Sequence, residues 1–162
     1  MTQQRQPSTR QPKSKKTALV QAVDLLARQA HSTKKLTDKL KQRAYEAEEI
    51  QGAIERLTAR GYLNDEELCR HQFQRYFEES HYSVKYICYK LMNKGFADSL
   101  VRACIPRSTE EREQAAALRS LQLKFKAAVP EAKLMQYLYG KGFSVGSARR
   151  AIEEFQSFEA AD

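Results

Sequence analysis

Residues 90–96 read Lys-Leu-Met-Asn-Lys-Gly-Phe, and residues 137–143 read Tyr-Leu-Tyr-Gly-Lys-Gly-Phe. The two stretches stand 47 residues apart and share the frame Leu-x-x-Lys-Gly-Phe. A chain that writes a phrase twice builds the encoded structure twice, and a period of about 50 residues marks a repeat architecture. Aligning the chain with itself at offsets of 51 and then 47 residues brings Leu36, Ile87 and Leu134 together, and likewise Leu40, Leu91 and Leu138. Tyr45, Phe96 and Phe143 coincide, followed by Ile50, Val101 and Ala148, and by Ile54, Ile105 and Ile152. Ala53, Cys104 and Ala151 form a matching small position. Every one of these positions is apolar in a chain that is only 41% apolar.

The spacing inside a unit identifies its structure. Leu36 and Leu40 are four residues apart, as are Ile50 and Ile54, which sets each pair on one face of a helix. The breaks fall at Ala44, Gly95 and Gly142. A glycine after a lysine-bearing last turn is a C-terminal cap, and the aromatic after it closes over that turn. A further helix precedes each pair: residues 18–30 with Leu19, Ala22, Val23, Leu26 and Ala30, residues 65–79 with Leu68, Cys69, Phe73, Tyr76 and Phe77, and residues 109–127 with Ala115, Leu118, Leu121 and Phe125. Start signals agree. Asn64-Asp65-Glu66-Glu67 and Ser108-Thr109-Glu110-Glu111 read as caps followed by glutamate, Ser32 and Ser83 stand before second helices, and Pro130 suits a first turn. Gly61 ends a helix over 47–60, and Pro106 stops a short one begun near Asp98. Gly52, inside a helix, is read as a point of close helix packing.

The expectation is therefore an all-α chain of three tandem three-helix repeats, about nine helices, in an elongated curved array. It divides into a disordered basic tail over 1–16 and repeats over 17–63, 64–107 and 108–162. The tail holds Arg5, Arg10, Lys13, Lys15 and Lys16 with no acid, out of a net charge of +8. Its polar composition cannot bury a core.

Several function classes fall away. No run reaches the roughly 18 apolar residues of a membrane span, and the N-terminus lacks an apolar signal region. A soluble, cytoplasmic monomer that makes no membrane contact is expected. Cys69, Cys88 and Cys104 are scattered and lack a CxxC pair, which suits buried thiols in a reducing compartment. No metal or cofactor is expected. The chain carries no Gly-rich phosphate loop, no HExxH and no nucleophile elbow, so no catalytic residue is assigned. The acids Glu46, Glu48 and Glu49 cluster at a helix start, where they offset the helix dipole.

The cations are more informative. Lys34, Lys35, Lys39, Lys41 and Arg43 crowd one helix against Asp38 alone. Arg70, Arg75, Lys85, Lys90 and Lys94 follow in the second unit, and Lys133, Lys141, Arg149 and Arg150 in the third. Shared on one curved face, they make a groove for a polyanion; spread round the helices, they are solvated surface. Tyr82, Tyr86 and Tyr89 interleave with Lys85 and Lys90. Such rings either stack on bases or line the space between helices, and the spacing serves both.

The string Leu25-Leu26-Ala27-Arg28, Ser32, Lys35-Leu36-x-x-Lys39-Leu40 resembles the opening of the RecX regulatory proteins. Gly61-Tyr62-Leu63-Asn64-Asp65 is similar to their Gly-Tyr-Leu-Asp-Asp turn, and Leu91-x-x-Lys94-Gly95-Phe96 to their second-unit helix end, with Gly142 at its counterpart. The resemblance spans roughly residues 18–155. It implies tandem three-helix repeats and a non-enzymatic modulator that lodges in the groove of the RecA–DNA filament, restraining ATP hydrolysis, strand exchange and the SOS coprotease. Single- or double-stranded DNA is implied as a further contact. The departures are Asn64 for Asp, Lys35 for Glu, Ala44 for Gly, and the segment 79–87, which lacks the family's Gly-x-Gly-Pro-x-Arg-Ile phrase. The remaining alternatives are a direct nucleic-acid binder and a scaffold for an acidic protein.

Overall fold

The structure, a computed structural model, describes residues 16–127 and 129–159. The tail proposed for residues 1–16 lies outside them except for Lys16. The described residues form α1 (Ala18–Arg28), α2 (Thr33–Lys41), α3 (Ala47–Ala59), α4 (Asp65–Glu79), α5 (Val84–Asn93), α6 (Asp98–Ala103), α7 (Glu110–Lys124), α8 (Glu131–Gly140) and α9 (Val145–Glu159), with no strand among them. The chain is an all-α array of three three-helix repeats, and each repeat closes its own core. Ala22, Leu25, Leu36, Leu40, Ile50 and Leu57 fill the first. Cys69, Phe73, Ile87, Leu91, Phe96 and Val101 fill the second, and Ala117, Leu121, Leu134, Leu138, Phe143 and Ile152 the third. The aligned pairs Leu36/Leu40, Ile87/Leu91 and Leu134/Leu138 are all 0% exposed. One face of the second helix is thus the apolar keel of every repeat.

Capping explains the boundaries. Ser32 and Ser83 accept the N–H groups of Lys35 and Tyr86 on their hydroxyls, and Asn64 accepts that of Glu67 on its side-chain oxygen. Glu46 and Glu49 form a reciprocal capping box. At the C-termini, Phe96 N–H reaches Leu91 O and Phe143 N–H reaches Leu138 O, bonds that require φ of +91° at Gly95 and +89° at Gly142. This satisfies carbonyls the helix would otherwise leave open. Ala44 adopts the same sign, φ +57°, despite its side chain.

Three readings of the sequence need correction. Gly52 marks no close packing: a Cβ built there meets nothing within 4 Å. Thr109 occupies the cap position of α7 without a side-chain cap bond, so the Ser108–Glu111 cap is not made. The stripe Leu19, Ala22, Val23, Leu26 and Ala30 is only in part the core face of α1: Ala22 is buried and Leu19 and Leu26 pack partly buried against the first core, while Val23 turns outward and Ala30 lies beyond the helix. Ala18 and Leu25 are buried beside Ala22, and Val23 is 48% exposed. The apolar positions of α1 wrap more than half its circumference, and spacing alone could not say which arc turns inward.

The units are joined by one contact made twice. Ser32 Oγ donates to the carbonyl of Lys94 at 2.6 Å, and Ser83 Oγ donates to that of Lys141 at 2.7 Å. Thr33 N–H donates to Asp65 Oδ1 at 2.8 Å, and Val84 N–H to Glu113 Oε1 at 2.7 Å. The N-termini of α2 and α5 therefore abut the C-termini of α5 and α8, the next units' second helices. Positive and negative dipole ends meet there. A carboxylate from the next unit's first helix meets the same N-terminus.

Arg112, at the second joint, is a residue the sequence reading did not single out. Its guanidinium donates to the carbonyls of Phe77, Tyr76, Ser80 and Tyr82, pairs with Glu113 at 3.3 Å, and stacks on the Phe77 ring at 4.8 Å. It closes the C-terminal end of α4 from the next unit. Burial pulls the guanidinium down from its ordinary value, against the pull of Glu113. Burial likewise pushes the Glu113 carboxyl up, while the Val84 N–H and Arg112 hold it down. Arg112→Met is expected to cost about 3 kcal/mol, because it strands a buried carboxylate and several carbonyls. Circular-dichroism melting checks this. A melt coinciding with the wild type would show that Arg112 does not clamp the joint.

Candidate nucleic-acid and partner interface

The end-to-end contacts set α8, α5 and α2 in one column, and that column carries the lysines. A Cβ on Gly95 would lie 3.2 Å from Lys34 Cβ, and one on Gly142 would lie 3.3 Å from Lys85 Cβ. Lys34 and Lys85 thus occupy the same place at successive joints, each beside the last turn that bears Lys94 or Lys141. At the repeat offsets, Lys35, Tyr86 and Lys133 correspond, as do Lys39, Lys90 and Tyr137, and Arg43, Lys94 and Lys141. Each of these sets shares one helical position, so the fold brings together on one column the cations that the sequence could only list. α5 contains no acid at all, and α2 only Asp38.

Aromatic rings organise the middle of the column. Lys90 Nζ stands 5.5 Å from the Tyr76 ring centroid, 5.1 Å from Tyr82 and 5.6 Å from Tyr86. Lys94 Nζ donates to Gln72 Oε1 at 2.8 Å and to Tyr76 Oη at 2.9 Å. These two ammonium groups are held against ring faces, which fixes long side chains that would otherwise sweep a wide volume. The Lys94 contact also pulls the Tyr76 hydroxyl down from its ordinary value. Arg75 also lies over the Tyr76 ring, 5.5 Å from its centroid. Tyr82 packs among Tyr76, His81 and Tyr86, whereas Tyr86 and Tyr89 are 38% and 56% exposed. The two readings of these tyrosines thus divide. Tyr82 lines the space between helices, and Tyr86 and Tyr89 present ring surface outward. Tyr76, part of this system, was read from sequence only as core, and Tyr137, whose ring packs edge-on against Phe125 beneath Lys141 in the third repeat, went unremarked.

Other expected site residues lie elsewhere. Arg70 is exposed on α4 next to His71, and Arg149 and Arg150 sit on α9, where Arg150 faces Glu110 at 4.0 Å. Arg28 closes the last turn of α1, Ser32 and Asp65 belong to the first joint, and Gly61 takes φ +76° in the turn that leaves Tyr62 70% exposed. Cys69 Sγ and Cys104 Sγ approach at 4.0 Å as free thiols in the second core. Burial pushes Cys69 up to about 12, the neutral form expected of a core thiol. No cluster among the described residues is arranged to hold a metal ion, and no described helix is long and apolar enough to cross a membrane.

Both histidines near the column sense its charge. Burial first, then Lys39 and Lys35, lower His31 from the ordinary 6.5. Burial first, then Arg119, Lys141 and Arg112, lower His81. A histidine whose folded value is depressed contributes stability above 6.5 that is lost as the pH falls through the lowered folded value. Lys141→Gln is therefore expected to raise His81 part of the way back while leaving His31 in place. Ring-proton NMR titration reads both at once. An unmoved His81 would mean that Lys141 does not face it.

Comparison with known proteins adds the following. A family model described as RecX, first three-helix domain, matches residues 18–57. The regulatory protein RecX of Thermus thermophilus is 32% identical over 149 residues, covering 88% of this chain and 97% of that protein. That of Pseudomonas fluorescens (strain SBW25) is 33% identical over 139 residues, covering 81% and 86%. That of Caldanaerobacter subterraneus is 28% identical over 136 residues, and there the chain spans 66% of the relative's length. Among solved structures, RecX from Lactobacillus salivarius superposes with a TM-score of 0.71 at 21% identity, over 86% of this chain and 94% of that one. A second crystal structure of a regulatory protein RecX gives 0.72 at 19% identity, over 84% and 71%. These likenesses in structure speak for the fold.

Proposed function

The chain belongs to the RecX family of regulatory proteins, and from that premise we propose that it binds the RecA recombinase filament through the column of α2, α5 and α8 and holds its activity down. The observation that carries the reading is the recurrence of cations at equivalent positions of successive repeats: Lys34 with Lys85, and Arg43 with Lys94 and Lys141. A repeating positive column suits a repeating polyanionic partner, because each unit meets the same charge in turn. Lys34, Lys35, Lys39, Lys85, Lys90, Lys94, Lys133 and Lys141 supply the contacts. Arg70, Arg75, Arg149 and Arg150 extend the field from neighbouring helices. The repeats divide near residues 63 and 107, and the protein acts in the cytoplasm as a monomer, without catalysis of its own. Its effect is lowered ATP hydrolysis, strand exchange and SOS coprotease activity of the filament.

The test is RecA ATPase on single-stranded DNA with this protein in stoichiometric excess. Inhibition is expected, and an undiminished rate sinks the proposal.

A second reading rests on Tyr86 and Tyr89, whose outward rings stand beside Lys85 and Lys90. Rings flanked by cations stack bases in single strands. Direct DNA binding would weaken log-linearly with salt, and tyrosine-to-alanine changes would weaken it in the absence of RecA.

A further inference from the structure

On the first two repeats an apolar groove of about 730 Å³ opens between α1, the end of α3 and α4. Its floor is Leu19, Val23, Leu26, Leu57 and Leu68. The rim is cationic or titratable at Arg56, Arg60, His31 and His71, against the single acid Glu67. The turn residue Tyr62 borders it with 70% of its surface open.

The repeat does not require this groove. At the offset of 51 residues that aligns the first two units, Ala22 matches Phe73, and both are buried. Leu19, partly buried against the first core, and Val23, 48% exposed, then match Arg70 and Gln74, so the second unit places polar groups where the first places apolar ones. Exposed apolar side chains that packing does not need mark a surface that meets something.

We propose that this groove receives an amphipathic helix of a partner protein, its apolar face on the leucine floor and its flanks carrying glutamate or aspartate. Three observations select that occupant. The floor runs along two helices and the end of a third, the shape in which a helix anchors through side chains at i, i+3 or i+4, and i+7. The rim selects acidic flanks by charge complementarity, since Glu67 is the one acid lining the groove beside Arg56 and Arg60. The chain's own residues 1–15 are a poor match, with Arg5, Arg10, Lys13 and Lys15, no acid, and Met1 as their one large apolar side chain. A second copy is disfavoured by a net charge of +8 on each partner. The inference stands apart from the reading of the lysine column, whose contacts lie on α2, α5 and α8.

The probe is a fluorescein-labelled helical peptide with leucines at those spacings and glutamates elsewhere, titrated into the full chain and followed by anisotropy and amide NMR shifts. A twin peptide with lysine for glutamate is the control. The acidic peptide is expected to bind and to shift amides of α1, the end of α3 and α4. Val23→Lys, at a half-exposed site that leaves the thermal melt unchanged, is expected to weaken it about tenfold or more, and Arg56→Glu with Arg60→Glu by a similar factor. The lysine twin is expected to bind at least about tenfold more weakly. The proposal is overturned by no binding to the wild type, by equal binding of the twin, by shifts confined to α5 and α8, or by indifference to Val23→Lys. It is also overturned if sedimentation shows a dimer that Val23→Lys dissolves, or if NOEs in the free protein join residues 1–15 to Val23.

Discussion

Replacing Gly95 with valine is expected to destabilise the protein by about 4 kcal/mol, on the order of 10 °C in melting temperature. Two costs add. The backbone there holds φ +91°, which a β-branched residue resists. A Cβ would also stand 2.7 Å from Ser32 Oγ and 3.3 Å from the Lys35 nitrogen. The serine would have to leave, losing both its cap on α2 and its bond to Lys94. Two controls separate these terms. Gly61→Ala meets open space at φ +76° and should cost only the strain, about 1 kcal/mol. Gly52→Ala, in a helix interior with open space, should stabilise by about 0.5–1 kcal/mol. Ser32→Ala should reduce the further cost of a Gly95 substitution, since the colliding oxygen is gone. If Gly95→Val and Gly61→Ala melt together, the joint between repeats contributes nothing measurable at this glycine.

On the proposed function, reversing charge along the column is expected to abolish most of the inhibition of RecA while sparing the fold. The variant carries Lys34→Glu, Lys35→Glu, Lys85→Glu and Lys141→Glu. All four residues are exposed, and surface changes of this kind usually move stability by no more than about 0.5 kcal/mol each. The half-inhibitory concentration in the RecA ATPase should rise by about 30-fold or more, the scale of losing roughly 2 kcal/mol of complementarity. Lys90 and Lys94 are left intact because their ammonium groups are held against Tyr76, and their loss would confuse packing with binding. Unchanged inhibition with an unchanged melt would reduce the column to ordinary solvated surface.

The repeat was legible because its determinants are local. Leu36, Ile87 and Leu134 fall in phase because each second helix needs an apolar keel, and a 3.6-residue period reports that need within a dozen residues. Gly95 and Gly142 were legible as helix ends because tolerance of a positive φ is a property of glycine itself. The arc of α1 that turns inward was not legible, because apolar residues occupy two arcs and only the docked neighbours choose between them. Arg112 was not legible either. Its carbonyl partners belong to the preceding unit, 30 or more residues away, and no local pattern announces them.

Sequence alone therefore determined three copies of a three-helix unit, where most of their helices begin and stop, and which residues line each keel, since each of these follows from near-neighbour spacing and from the conformational range of single residues. Tertiary structure alone decided that the serine heading one unit's second helix meets the lysine carbonyl ending the next, 62 residues on at Ser32 and 58 at Ser83. That contact sets the lysines of successive units in one column, and the docking of α1 on α2 and α3 leaves Val20 and Val23 about half exposed. Its reason is physical: a bond between units depends on how two finished helices dock, and docking is settled by surfaces assembled from distant residues.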